Sequence, residues 1–245
     1  MKIGFFILTK EPSDNVIIFA NQLQEFIETY VVVDNNEFVN PYNFKNLIFI
    51  DDDKCAKEGF YDVNYVIKKK SKVSAWDKVL YLLCKVLTDI DYCWIVEDDV
   101  FIPSINSVLE MTTKYFNNKN DIIVSGDISK LSEPKWFHWK RFPKNLKFND
   151  ENLYHSMVPA IGVSRNMLKM VDKHVKKYKR LFFLEILFNT LAHKHNLKIK
   201  IAPEFQNTIV WRHDWTYEDI LKCKECWYHP IKNQEVQINY RYIIN

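Results

Sequence analysis

Short β-branched runs alternate with helical stripes through the first half of this chain, and that order restricts the fold more than any other feature. Ile3 to Leu8 and Tyr30 to Val33 read as strands, as does Asn46 to Ile50. Two more follow, Tyr92 to Val96 and Asp121 to Val124. Between them lies a helix over Asn15 to Tyr30, with Val16, Phe19, Ala20, Leu23 and Phe26 or Ile27 on one face. A second runs from Ser74 to Leu87, with Trp76, Val79, Leu80, Leu83 and Leu87 facing inward and Ser74 and Asp77 as a capping pair. Pro103-Ser104 opens a third, carrying Ile105, Val108, Leu109 and Thr112. Strand and helix in alternation give an α/β domain, a mostly parallel central sheet with helices on both faces.

The second half is less regular. It holds an aromatic and basic loop, a short strand near Val158 to Val163, and helices from about Ser164 and about Leu184. There is no internal repeat. At 245 residues and 47% hydrophobic, the chain can bury one sizeable core as a single domain. With 4 glycines and 8 prolines, it has little room for linkers or Gly-rich phosphate loops.

A net charge of +3 excludes the strong field of a non-specific nucleic-acid binder. The basic runs Lys68-Lys69-Lys70 and Lys176-Lys177 with Lys179-Arg180 read as solvated helix ends and loops, with peripheral contact to an anionic membrane as the alternative. The apolar run after Lys2 is too short for a signal peptide, and no stretch has the length of a membrane span. The expectation is a soluble, cytoplasmic protein. Five scattered cysteines suit a reducing compartment better than a disulfide framework. Cys223-x-x-Cys226 with His229 lacks the ligands for a structural zinc site. His193-x-His195 diverges on a helix and reads as two surface or half-buried side chains.

Three of the strands end in acid. Asp51-Asp52-Asp53 leads into a polar stretch and reads as a surface turn. Glu97-Asp98-Asp99 follows a fully apolar strand and returns at once to Val100-Phe101-Ile102-Pro103, so packing on both sides fixes its carboxylates. Alternation places Glu97 and Asp99 toward one site and Asp98 elsewhere. Two carboxylates that face one another repel unless a cation lies between them. A hard divalent ion, Mn²⁺ or Mg²⁺, takes such oxygen ligands together with those of a diphosphate. The plain alternative is an acidic cap that solvates the turn.

Here the sequence resembles the GT-A family of nucleotide-sugar glycosyltransferases, whose acidic DxD signature follows a strand in the middle of the fold. Trp94 to Val100 is similar to that signature, with Glu97 in place of its first aspartate. Pro159 to Ser164 resembles the family's small-residue loop on the acceptor side, with Gly162 among the acceptor-binding positions. Phe182 to Glu185 resembles its acidic segment, with one acid in place of a pair, and Trp227 to Lys232 its C-terminal histidine segment.

The resemblance implies a GT-A fold, about 1–125 binding the donor and about 126–245 the acceptor. It also implies roles: Asp99 and His229 as metal ligands, Glu97 on the donor ribose or a metal-bound water, Lys232 beside the diphosphate, and Asp98 among the donor-binding positions. Asp34 would contact the nucleoside, with Thr9 and Lys10 next to it and Lys78 facing the donor, although Asp34 serves equally as a turn cap and Lys78 as a solvated charge. Glu185 would be the general base of an inverting transfer, although the helix dipole alone also favours an acid there. Trp136 and Trp139, in the loop Lys135 to Phe142, offer an acceptor platform or else pack against their own domain. The expected activity is hexosyl or pentosyl transfer from a nucleoside-diphosphate sugar to a saccharide hydroxyl. A non-catalytic carbohydrate-binding protein and a metal-dependent nucleotidyltransferase are the rivals.

Overall fold

The computed structural model describes residues 1–64, 73–146 and 148–244; the run Lys68-Lys69-Lys70 lies outside them. Nine strands are described: β1 (Ile3–Thr9), β2 (Glu28–Val33), β3 (Leu47–Phe49), β4 (Tyr92–Glu97), β5 (Ile122–Val124), β6 (Ile128–Ser129), β7 (Tyr154–His155), β8 (Ala160–Ser164) and β9 (Ile199–Ile201). Seven form one sheet in the order β3-β2-β1-β4-β8-β5-β9, and β6 pairs with β7 apart from it. Every ladder in the large sheet is parallel except those of β8, which runs antiparallel to both β4 and β5.

Side chains alternate across the sheet and build two cores. Phe6, Leu8, Ile95, Val124 and Ile161 face one way, against α3 (Ala75–Tyr81), α5 (Arg165–Tyr178) and α6 (Leu184–Lys194). Phe5, Ile7, Trp94, Val96 and Ile123 face the other, against α1 (Asp14–Gln24) and α4 (Ile105–Phe116). The result is one mixed α/β domain with helices on both faces of a mostly parallel sheet, as the alternation of elements predicts.

Local signals placed several helix ends. Ser74 and Asp77 form a reciprocal capping box, and the side chains of Ser104 and Ser164 cap α4 and α5. Other expectations are corrected. The first helix ends at Gln24, because Phe26 is left exposed and the chain turns into β2 at Glu28. Asp51-Asp52-Asp53 is no surface turn: Asp51 caps a short helix, α2 (Asp52–Lys57), and Asp52 pairs with Lys78. Cys223 and Cys226, expected as thiols, are joined in a disulfide.

Of the basic run at the end of α5, Lys176, Lys177 and Lys179 are exposed as expected, while Arg180 is half-buried. Lys176 pairs with Asp172 and Arg180 with Asp62 at the end of α5. His193, half-buried, pairs with Asp127. No helix among the described residues is long and apolar enough to cross a membrane.

Candidate functional site

β4 carries its last residue, Glu97, to the carboxyl end of the sheet, where ligands of open α/β folds collect. The acidic turn is then held by partners from three directions. The Asp98 amide donates to Leu8 O at 2.9 Å, fixing the turn to the end of β1. Gln234 and Gln237, on the C-terminal helix α7 (Gln234–Ile244), donate to Asp98 O at 3.1 and 3.0 Å. Asp98 turns its own carboxylate away from the other two acids and accepts from the Thr9 hydroxyl.

The C-terminal segment reaches this turn from far along the chain. Trp227 is fully buried against Trp94 and Phe205, an anchor that sets the direction of the residues after it. Phe101 and Tyr228 exchange backbone bonds of 2.8 and 3.0 Å, and the Ile231 amide donates to Asp99 O at 2.7 Å. His229 lies between these ties.

Its orientation is chemically specific. Nδ1 donates to Val210 O at 2.7 Å, so the proton sits on Nδ1 and the lone pair of Nε2 faces Asp99 Oδ1 at 3.4 Å. Asp99 Oδ1 is buried and makes no hydrogen bond among the described residues. One ligand atom from each of Glu97, Asp99 and His229 lies within 4.8 Å of the others. Lone pairs gathered in this way repel, and a buried oxygen left without a donor is costly. A divalent cation removes both penalties, and a histidine held by a carbonyl through its other nitrogen is the usual arrangement of a metal ligand. The mixed oxygen and nitrogen donor set suits Mn²⁺.

The electrostatics agree. Burial pushes the Glu97 carboxyl up to about 7; the charge of Asp99 adds to this, and the Trp76 indole N–H, donating at 2.6 Å, opposes it. Burial lowers the His229 imidazole, while Asp99 and the Val210 carbonyl raise it above its ordinary value; in the neutral ring the Nε2 lone pair faces Asp99, in the protonated ring an N–H does, and a cation at the cluster would take the place of that proton.

Glu97, Asp99, His229 and Lys232 line a cleft of about 400 Å³ together with Glu185. Glu185 sits in the first turn of α6 with 9% of its surface exposed. Burial raises its carboxyl to about 7, against a lowering by Arg141 and a further rise from Glu97. A carboxyl of that strength exchanges a proton near neutrality, as a general base must.

Other residues singled out in the sequence lie elsewhere. Lys10 is exposed beside Glu11. Lys78 is neither solvated nor open to a ligand: it is fully buried, and its Nζ donates to Asp34 O at 2.6 Å and to Asn36 Oδ1 at 2.8 Å. It therefore braces the loop after β2, where the Asp34 amide is bound to Thr9 O. Gly162 lies inside the sheet and away from the cleft; a Cβ there would meet Ile123 Cδ1 at 2.7 Å and Trp94 Cζ3 at 2.9 Å, so it is a packing glycine and no acceptor contact. Trp136 stacks on His155 at 3.8 Å, and buried Trp139 donates to Glu133 O. Both tryptophans pack against their own domain in place of offering a platform.

The cleft also contains residues that sequence reasoning missed: Asn64, Arg141, Phe183, Trp211 and Arg212. Trp211 and Arg212 lie in an aperiodic stretch where neither burial nor exposure could be inferred, so no pattern in the sequence marks them.

No family model matches the chain, and no curated protein matches it. Among solved structures it is similar to an active-site mutant of LgtC, at 10% identity over 98% of this chain and 95% of that one, with a TM-score of 0.48. It is also similar to 4-diphosphocytidyl-2C-methyl-D-erythritol synthase from Anaerococcus prevotii, at 11% identity over 91% and 96%, with a TM-score of 0.46. A third is a glycosyltransferase involved in glycosylating the major capsid of PBCV-1, at 8% identity over 99% and 100%, with a TM-score of 0.39. Likeness at this level assigns neither reaction nor substrate, so the chemistry is read from the side chains.

Proposed function

We propose that this chain is a metal-dependent glycosyltransferase that moves a hexose or pentose from a nucleoside-diphosphate sugar to a saccharide hydroxyl. The observation that carries the reading is the buried, undonated Oδ1 of Asp99 facing the lone pair of His229, with Glu97 beside them and a raised carboxyl, Glu185, on the same cleft. Asp99, His229 and Glu97 would hold Mn²⁺ or Mg²⁺, which when bound neutralises charge on the departing diphosphate. Lys232 places a second positive charge on that side of the cleft. Glu185 takes the proton of the acceptor hydroxyl as its oxygen bonds to the anomeric carbon and the bond from that carbon to the diphosphate breaks. Attack opposite the leaving group inverts the configuration.

In this reading, the segment of about 1–125 carries most donor contacts, with Asp34 at the end of β2, and about 126–245 serves the acceptor; Thr9 and Asp98, bonded to one another, hold the acidic turn in place. His229 crosses from the second segment to complete the first. Among the described residues, one group of metal-ligating side chains is found, which favours a single cation over the paired metals of many nucleases and nucleotidyltransferases.

The test is calorimetric titration with UDP, GDP, CDP and ADP, with and without Mn²⁺. One nucleotide should bind with an affinity that depends on the metal, and Asp99→Ala should abolish that dependence while leaving the unfolding transition cooperative. Metal-dependent binding that survives in Asp99→Ala refutes the assignment.

A further inference from the structure

The cleft contains two guanidinium groups for which the transfer step has no use. Arg141 and Arg212 both line it, and among the described residues neither pairs with a carboxylate; each lies instead over an aromatic ring. The guanidinium carbon of Arg141 is 4.5 Å from the centre of the Phe183 ring, and that of Arg212 is 5.9 Å from the centre of Trp211. An arginine resting on an aromatic face has its planar fork of donors held in place and turned outward, ready for a carboxylate or a phosphate.

Arg141 stands at the Glu185 end of the cleft, its guanidinium over Phe183, which precedes Leu184 and Glu185 at the start of α6. It therefore flanks the base, where the acceptor hydroxyl must sit, and the metal cluster and Lys232 already answer the charge of a diphosphate. Beside them Trp211, 58% exposed, presents an indole face, backed at 6.0 Å by His138, which in turn stacks on Phe183. An exposed indole next to two guanidinium groups combines a surface for the apolar face of a sugar ring with receptors for an anion.

We propose that the acceptor is an anionic sugar, whose carboxylate or phosphate is held by Arg141 and Arg212 while its ring rests on Trp211. This rests on the transferase reading above, and the experiment separates the two.

Calorimetric titrations of the full chain compare methyl glucuronide, methyl glucoside 6-phosphate and neutral methyl glucoside, in the presence and absence of Mn²⁺ and the preferred nucleoside diphosphate. An anionic glycoside should bind at least about tenfold tighter than the neutral one. Whether the glucuronide or the phosphate binds tighter identifies the source of the charge. The double variant R141Q/R212Q should lose the preference and keep its affinity for the metal and nucleotide within about twofold; D99A should do the reverse. Equal binding of charged and neutral glycosides overturns the proposal. So does an R141Q/R212Q protein that loses nucleotide and keeps the preference, since the arginines would then serve the donor. Failure of any nucleotide to bind the native protein sinks the transferase reading and leaves the anion preference measurable by itself.

Discussion

Replacing Lys78 by methionine isolates one buried charge with little change of shape, because both side chains are unbranched. The ammonium is fully buried, bonded to Asp34 O at 2.6 Å, Asn36 Oδ1 at 2.8 Å and Val33 O at 3.3 Å, and paired with Asp52 at 3.0 Å. Hydrogen bonds from a charged donor contribute about 1.5–3 kcal/mol each. Asn36 and Asp52 lie partly in solvent, so water replaces much of what they lose, and the ion pair is discounted accordingly. The two backbone acceptors then account for about 3–6 kcal/mol, offset in part by an ammonium that no longer has to be desolvated. The expected net loss is about 3 kcal/mol, a fall of about 6–12 °C in Tm for a chain of this size. Urea unfolding followed by circular dichroism measures it as a lower midpoint at unchanged m-value. A loss below about 1 kcal/mol would mean that the loop after β2 does not depend on this cation.

Two further outcomes are expected. Because burial raises Glu185 to about 7, the fraction of ionised base climbs with pH, and transfer at saturating Mn²⁺ should rise along a single limb centred near that value. Removing Arg141, whose charge lowers this carboxyl, should move the limb to higher pH; a limb that stays in place in R141Q contradicts the electrostatics. By linkage, the same burial makes Glu185 cost stability as pH climbs from the ordinary carboxylate range through about 7, since the folded protein then holds more of the proton than the unfolded chain. Gly162→Ala should destabilise the sheet by about 1–3 kcal/mol, as the new methyl group forces Ile123 and Trp94 apart. A cost under about half a kilocalorie in urea titration would show that the two side chains yield freely.

What could be read from the sequence was local. A capping pair such as Ser74 and Asp77 is complete within four residues, and an apolar strand closing in acids states its own direction and end. The stripe of α1 was followed too far because Phe26 continues the spacing without being buried. β9 went unnoticed because Ile199-Lys200-Ile201 is three residues long at the sheet edge, too short for a period to register. Nor does any local pattern reveal that β8 inserts antiparallel between β4 and β5, which turns Gly162 from a loop residue into a sheet contact. Burial of a cation is a tertiary property as well, and Lys78 looked solvated until α3 was placed against the end of β2. His229 came from resemblance, whereas the Val210 carbonyl that fixes its tautomer lies 19 residues away and carries no side-chain signal.

The tie between the turn at Asp99 and the segment at Tyr228 joins two distant parts of the chain. The acids and the imidazole meet because Trp227 is anchored beside Trp94 and the Ile231 amide is bonded to Asp99 O. A polypeptide that stops short of that tryptophan possesses carboxylates without their nitrogen partner. The cluster is thus completed by tertiary contact, and a change that loosens Trp227 from Trp94 should draw the imidazole away from the acids.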